Sequence, residues 1–342
     1  MKIAGFDIGG ANTDLAIINY INKEQFLENI EVNFEYLPMW SKNDQLEDCL
    51  INLLGDSFYD IDAVGISMTA ELVDAYETKS DGVKDIVKKV ENVFDVPIAY
   101  VGLNGMMSSK EVLKNPLNVA AANWIATSQI AGNIEENCIL VDIGSTTTDI
   151  IPIKNGTECS KGRSDFERLA TGELVYSGTL RTNLASLVDK VPLNDKIYRV
   201  ASELFAISAD VHNVLDNIDL DDFSCATPDG AGKSKEESMR RISRVLCADL
   251  DSLSSKDIIE ISRYIYSEQI RKTAEAIIEV SKRNKIDKVV STGLGREVIA
   301  NKAAKLAGLT YINMDEVLTA EECVVAPAVG TALMMGNYLF EK

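Results

Sequence analysis

Histidine occurs once in the 342 residues, and the six cysteines (Cys49, Cys138, Cys159, Cys225, Cys247 and Cys323) stand far apart with no Cys-x-x-Cys pair. A structural zinc site lacks its ligands here. Scattered cysteines of this kind read as buried, reduced, small hydrophobes. Basic residues are scarce as well: 34 Lys and Arg against 53 Asp and Glu leave a net charge of −19, which argues against a broad nucleic-acid or anionic-membrane surface. Any anionic ligand has to be held locally. Long apolar runs are missing too. The N-terminal run breaks at Asp7, and the stretch from Leu117 to Ile130 is interrupted by Asn118, Asn123 and Gln129, so neither a secretion signal nor a membrane span is expected. The expectation is a cytoplasmic protein whose partners are small molecules; homo-oligomerisation is left open.

What is present is enough apolar material, 46% of the residues, for two hydrophobic cores rather than one. Lys2 to Ile8 and Asp14 to Ile21 read as strands joined by a glycine-rich turn, and Ile30 to Leu37 alternates like a third strand. A helical pattern at residues 43–54, a strand from Ile61 to Met68, a helix from Gly82 to Phe94 and a strand from Pro97 to Val101 follow. Asn115 and Pro116 suggest the cap and first turn of a helix running through Ile130, with Ala120, Ala121 and Ala122 as a thin face.

At Cys138 the pattern restarts with a strand to Ile143, a turn of small residues and a return strand from Asp149 to Ile153. Asp7-Ile-Gly-Gly-Ala-Asn-Thr-Asp14 aligns without a gap on Asp142-Ile-Gly-Ser-Thr-Thr-Thr-Asp149, with five of eight positions identical at a constant offset of 135 residues. A repeat in the same strand-turn-strand setting indicates duplication. Beyond it, Val200, Leu204, Ile207, Val211, Val214 and Ile218 step by threes and fours, predicting one long amphipathic helix from Ile197. Helices are predicted near Glu236–Asp249 and Ser255–Arg283, then a strand at Lys288–Val290, the turn Ser291-Thr-Gly-Leu-Gly295, a helix from Arg296 to Leu306, a strand near Leu309–Asn313 and a last helix from Pro327 to Phe340.

Each Asp-x-Gly turn offers backbone N–H groups to a phosphate without an obstructing side chain. Asp7 and Asp142 leave their strands at the turn, and Asp14 and Asp149 open the return strands. Carboxylates so placed suit Mg²⁺, directly or through water, while Gly9, Gly10, Asn12, Thr13, Gly144, Ser145, Thr146, Thr147 and Thr148 supply backbone and side-chain donors. Ordinary hairpin turns share this composition, but two copies at equivalent positions favour a functional reading.

These two turns resemble the phosphate loops of the actin/sugar-kinase/Hsp70 superfamily. Thr292-Gly-Leu-Gly295 resembles its third loop, which packs on adenosine in ATP-binding members, and Ala326-Pro-Ala-Val-Gly-Thr-Ala332 resembles its second connecting segment. The resemblance implies an α/β fold: a duplicated ribonuclease-H-like (actin-like ATPase) domain, two lobes around a central cleft, and a helical insert in the second lobe. The implied boundaries are 1–133 plus 326–342 for the first lobe and 134–325 for the second, with the insert at about 195–284, the adenosine-type loop at 291–297, and a hinge where the last helix crosses helix 116–130. Met1 to Leu15, Ser67 to Leu72, Asn118 to Trp124 and Thr171 to Thr182 look closest to the hydantoinase/oxoprolinase-like branch, and within it to archaeal proteins of tetrahydromethanopterin-linked one-carbon metabolism and methanofuran biosynthesis. That likeness implies a transferase joining an aminomethylfuran-methanol diphosphate to γ-glutamyltyramine, with loss of diphosphate and without ATP. It places Asp7 and Asp142 at the metal and diphosphate, with Asp14 or Asp149 as a further metal ligand or base and Asp149 counted as the third catalytic carboxylate. An ATP-dependent kinase or amidohydrolase using Gly293 and Gly295 for adenosine is the main alternative, and a nucleotide-gated scaffold or filament subunit a third.

Thr227-Pro-Asp-Gly-Ala-Gly-Lys-Ser234 ends like a Walker A loop but lacks the first glycine and the preceding strand, although Lys233 retains the reach to contact an anion. Arg163, Arg168 and Arg181 flank the second loop in sequence and are candidates for a substrate phosphate or carboxylate, Arg181 foremost. His212, at the edge of an apolar stripe with Asp216 four residues on, reads as structural, and Asp219, Asp221 and Asp222 as a solvated acidic loop.

Overall fold

The computed structural model describes residues 1–21 and 29–340. The chain divides into two compact units, one of Met1–Leu140, Ile151–Ala170 and Asn313–Lys342, the other of Val141–Ile150 and Thr171–Ile312. Among the described residues no helix is long and apolar enough to cross a membrane.

The first unit opens with β1 (Lys2–Ile8), β2 (Asn12–Asn19) and β3 (Glu31–Tyr36), then α1 (Met39–Lys42), α2 (Leu46–Leu54), β4 (Ala63–Met68), α3 (Lys79–Val93), β5 (Ile98–Gly102), β6 (Gly105–Met107), α4 (Ser109–Lys114) and α5 (Asn123–Ile134). The strands form one sheet in the order β3-β2-β1-β4-β5-β6, parallel where β4 meets β1 and β5. The period of two in β1 divides the core. Ala4, Phe6 and Ile8 pack with Leu46, Leu50, Val83 and Ile86 of α2 and α3, while Ile3 packs with Ala332 and Met335 of the C-terminal helix. Asp7 therefore falls on the face covered by the C-terminal helix, at the end of its strand. The helix α3 starts where Thr78 accepts a hydrogen bond from the Asp81 N–H at 3.2 Å, and its apolar stripe is Val83, Ile86, Val87 and Val90.

From Cys138 the elements are β7 (Cys138–Ile143), β8 (Thr148–Lys154), β9 (Thr157–Glu158), α6 (Asp165–Thr171), β10 (Leu174–Val175), α7 (Leu184–Leu187), β11 (Lys190–Leu193), β12 (Lys196–Arg199), α8 (Ser208–Val214), α9 (Lys235–Val245), α10 (Ser255–Asn284), β13 (Lys288–Thr292), α11 (Asn301–Leu306), β14 (Thr310–Asn313), α12 (Ala320–Val324) and α13 (Ala326–Phe340). The second sheet runs β10-β8-β7-β13-β14, with β9 added to β8. A separate helical core gathers Leu184, Val211, Ile242, Ile258, Ile261 and Ile265 from α7, α8, α9 and α10.

Two sequence expectations need correction. The helix expected from Ile197 to Ile218 is instead the end of β12, which pairs back on β11, followed by irregular chain and only the short α8. Asn194 and Asp195 take positive φ of 47° and 59° and turn the chain back on itself, which a stripe of apolar residues does not reveal. The helix expected from Pro116 is a single tight turn over Pro116–Asn118, and α5 begins only at Asn123. Between them Ala121 adopts φ 48°, a left-handed conformation that breaks the helix before α5. The close crossing of the last helix is present, since a side-chain carbon at Gly330 would collide with the backbone of Ala126 in α5, but both helices belong to the first unit. Four of the cysteines are buried as expected; Cys159 and Cys247 are exposed.

Candidate active site

The two Asp-x-Gly turns are built alike, bond for bond. In the first, the Gly9 N–H donates to the Asn12 carbonyl at 2.9 Å and the Thr69 N–H, just beyond β4, donates to the Ile8 carbonyl at 2.9 Å. In the second, Gly144 donates to Thr147 at 3.1 Å, and Gly295, beyond β13, donates to Ile143 at 2.9 Å. Thr69 thus stands where Gly295 stands, and the duplication extends from eight aligned positions to the strand beside each turn.

In the first unit the Asp7 carboxylate is 7% exposed and accepts from Ser67 Oγ at 2.7 Å and from Asn123 Nδ2 at 3.2 Å. Thr331 of α13 donates in turn to Ser67 Oγ at 3.0 Å. These two donors fix the direction of the carboxylate. Asp14 is its cross-strand neighbour in the β1–β2 pairing, and Thr13 is fully buried beside it. Glu71, at the end of the Ser67–Leu72 stretch, is 1% exposed with Lys79 at 3.9 Å, and burial pushes its carboxyl up to about 7.

In the second unit Asp142 faces Gly293, whose φ of 83° admits glycine alone at low cost and where a side-chain carbon would lie 2.5 Å from Asp142 Oδ1. Thr148 is buried and donates to the Ser177 carbonyl at 2.7 Å, and Asp149 pairs in register with Leu174. The backbone of Ser145 is held from below, its carbonyl accepting the Leu180 and Arg181 N–H groups at 2.9 Å each. Arg181 thereby starts from the loop itself. Its charge and that of Lys233 both act on the buried Cys225 thiol, whose pKa burial raises, so these two cations share a neighbourhood. Lys233 also donates to the Phe223 carbonyl and lies 5.2 Å from that ring's centre.

The other candidates fall elsewhere. Arg168 is buried over Trp124 at 4.7 Å and pairs with Asp165 at 3.3 Å; Arg163 binds Glu158 at 2.7 Å and lies 5.4 Å from the same ring. Both arginines are structural cations of the first unit. Asp219, Asp221 and Asp222 are exposed, and Asp216 pairs with Lys235 rather than with His212. Ser67, Thr69, Asn123 and Thr331 around the first turn, and Gly178 and Thr179 under the second, were not singled out by sequence reasoning. The stretches Ser67–Leu72, Asn118–Trp124 and Thr171–Thr182 carry a family resemblance, but which residue touches which turn is set by the register of β4 and by the position of α5.

This is the α/β fold of the sugar kinases and actin-like ATPases, as expected. Nucleotide-free acetone carboxylase superposes with a TM-score of 0.59 at 11% identity, covering 97% of this chain and 70% of that one. A ROK family glucokinase from Streptomyces griseus, solved with glucose and AMPPNP, gives a TM-score of 0.52 at 12% identity over 97% and 98% of the two chains. The chain belongs to the hydantoinase/oxoprolinase family, whose profile matches residues 62–337. Within reach of sequence alone it is 39% identical over 341 residues, 99% of each chain, to the (4-{4-[2-(gamma-L-glutamylamino)ethyl]phenoxymethyl}furan-2-yl)methanamine synthase of Methanocaldococcus jannaschii.

Proposed function

We propose that this chain is a transferase of methanofuran biosynthesis that condenses an aminomethylfuran-methanol diphosphate with γ-glutamyltyramine, forming an aryl ether and releasing diphosphate. The observation that carries the reading is the 39% identity along the whole chain to a synthase whose product name describes that phenoxymethyl-furan ether. The two duplicated turns support it, because each presents a carboxylate beside a loop of small and hydroxyl-bearing residues, as an oxygen-rich anionic leaving group requires.

In the reaction the phenol oxygen attacks the furfuryl carbon, the carbon–oxygen bond to diphosphate breaks, and the phenol proton passes to a base. We assign Asp7 and Asp142 to the metal-bound diphosphate and Asp149 to the phenol proton. Thr146, Thr147 and the backbone N–H groups of Gly10 and Ser145 hold phosphate oxygens, and Arg181 with Lys233 meets the glutamyl carboxylate. No group of three or more His, Cys, Asp or Glu side chains among the described residues forms a metal cage. The donor set fits Mg²⁺ held by one or two carboxylates together with diphosphate oxygens. When bound, such an ion neutralises charge on the departing diphosphate.

The test is a mass-spectrometric time course of the furfuryl diphosphate with γ-glutamyltyramine, with and without ATP and with EDTA as the metal control. Ether and diphosphate are expected to appear in step without any nucleotide, and a phenethylamine analogue lacking the hydroxyl should bind yet give no product. A strict ATP requirement, with ADP or AMP formed in proportion to product, would overturn the displacement mechanism.

A further inference from the structure

The single histidine of the chain, His212, is fully buried in the second unit. Its partners fix its state. Gln269 of α10 directs its Nε2 amide to the Gly178 carbonyl at 2.9 Å and to Ser177 Oγ at 3.2 Å, and since a carbonyl only accepts, that end of the side chain must be the NH₂ group. The Gln269 Oε1 atom is then the one facing His212 Nε2 at 3.1 Å, so Nε2 carries the proton. His212 Nδ1 is left as an acceptor, and Asn217 Nδ2 donates to it at 3.2 Å. Every hydrogen-bonding position of the ring is used once by the neutral imidazole, with the edge of Tyr266 packed 5.4 Å away. Burial favours the same state by pushing the imidazole down to about 4.

A self-satisfied buried network is common; the far end of this one is what matters. The Gly178 carbonyl also receives Thr182 Oγ1 and Ser208 Oγ, each at 3.1 Å. A side-chain carbon on Gly178 would lie 2.5 Å from the Thr146 nitrogen, so this backbone rests directly on the second phosphate loop. The next three residues then clip onto the loop: Thr179 N–H to the Gly144 carbonyl, and Leu180 and Arg181 N–H to that of Ser145, all at 2.9 Å. Gln269 in the other amide orientation would set carbonyl against carbonyl at Gly178 and its NH₂ group against the Nε2–H of His212, so the two contacts hold one orientation together.

We infer that His212 is a positioning residue for the second phosphate loop: its neutral imidazole orients Gln269, whose amide locks the Ser177–Arg181 turn on which Gly144, Ser145 and Thr146 rest. The assignment of that loop to diphosphate rests on the function proposed above; the mechanical coupling does not. The test is therefore made first without ligand, by hydrogen exchange in the full chain. In His212→Leu and in Gln269→Met the amides of Thr179, Leu180 and Arg181 should exchange at least about 10-fold faster than in the wild type, while those of Val289 and Val290 in β13 stay unchanged. His212→Gln, which keeps a neutral donor near the Nε2 position, should restore the protection. Affinity for inorganic diphosphate with Mg²⁺, read by calorimetry, should fall about 10-fold in the first two variants and return in the third.

Unchanged exchange at residues 179–181 in folded His212→Leu and Gln269→Met overturns the inference, as does an equal acceleration of β13, which would mark plain destabilisation. Should His212→Leu fail to fold, Gln269→Met carries the same comparison. Faster exchange at 179–181 in a protein whose wild type does not bind diphosphate would sink the phosphate assignment and leave the coupling standing.

Discussion

Replacing Gly330 with alanine sets two physical effects of known sign against each other. The new carbon would lie 2.5 Å from the Ala126 carbonyl carbon and 3.1 Å from its Cβ, whereas non-bonded carbons rest at about 3.5–4.0 Å, so α13 and α5 must part by about 1 Å. No rotamer relieves this, because the obstruction is the backbone of a buried helix. Nor is α13 free to retreat unharmed: it lies equally close over Gly5 of β1, and lifting it opens that contact. Overpacking of this kind costs about 1–3 kcal/mol, and the rigid obstruction points to the upper end. Alanine returns about 1 kcal/mol through helix propensity. The expected balance is a loss of roughly 1–2 kcal/mol. Both tryptophans, Trp40 and Trp124, belong to the first unit, so urea denaturation followed by their fluorescence reads the affected unit alone. A midpoint that stays put or rises would mean that propensity alone is acting and that the two helices do not meet at Gly330.

Asp7→Asn and Asp142→Asn should each remove about 2–4 kcal/mol of transition-state stabilisation, a loss of roughly 30- to 1000-fold in kcat/KM at unchanged circular dichroism. A folded variant with wild-type turnover takes that aspartate out of the site. His212 makes stability depend on pH with a definite sign: its pKa is depressed from 6.5 to about 4 in the fold, so the unfolded chain takes up the proton first and stability falls as pH falls through that window. The charged and titratable groups facing it, Lys302 and Tyr266, give an imidazolium no counter-ion. Between pH 6.5 and about 4 the wild type should lose up to about 3 kcal/mol relative to His212→Gln in thermal melts, and parallel curves for the two proteins would refute the buried neutral state.

The parts of the fold that the sequence announced are those in which local pattern and tertiary setting agree. The β1 and β7 strands, α10 with its Ser254 cap, and the apolar α13 are continuous periodic segments with their stop signals in place. The hairpin at Lys190–Arg199 was missed because its decisive signal is two residues, Asn194 and Asp195, whose left-handed conformation is obscured by the helical stripe that begins just after them at Ile197. The late start of α5 failed differently: Ala120, Ala121 and Ala122 are excellent helix formers, yet the chain leaves the helical region at Ala121, where φ is 48°, against that local propensity. The site shows the same division. Asp7, Asp142 and their loops stood out because a repeat is visible letter by letter, whereas Ser67, Asn123, Thr331 and Gln269 are single polar residues in otherwise ordinary elements.

The duplicated turns also differ, and the differences suit different tasks. Asp7 is enclosed, held by Ser67 and Asn123 on the face that α13 covers, with Thr331 fixing the Ser67 hydroxyl. Asp142 is less buried and lies against the backbone of Gly293, while the loop beyond it exchanges Gly10, Ala11 and Asn12 for Ser145, Thr146 and Thr147. A carboxylate locked by neutral donors keeps a fixed direction at little reorganisation cost, which is what a cation bridging to a substrate needs. A loop of hydroxyls clipped from beneath by Thr179, Leu180 and Arg181 supplies donors whose spacing is set by the fold rather than by the ligand. Under the function proposed above, the first half directs charge and the second cradles oxygen atoms. The single histidine, buried under the second turn only, then belongs with the half whose backbone geometry has to be held.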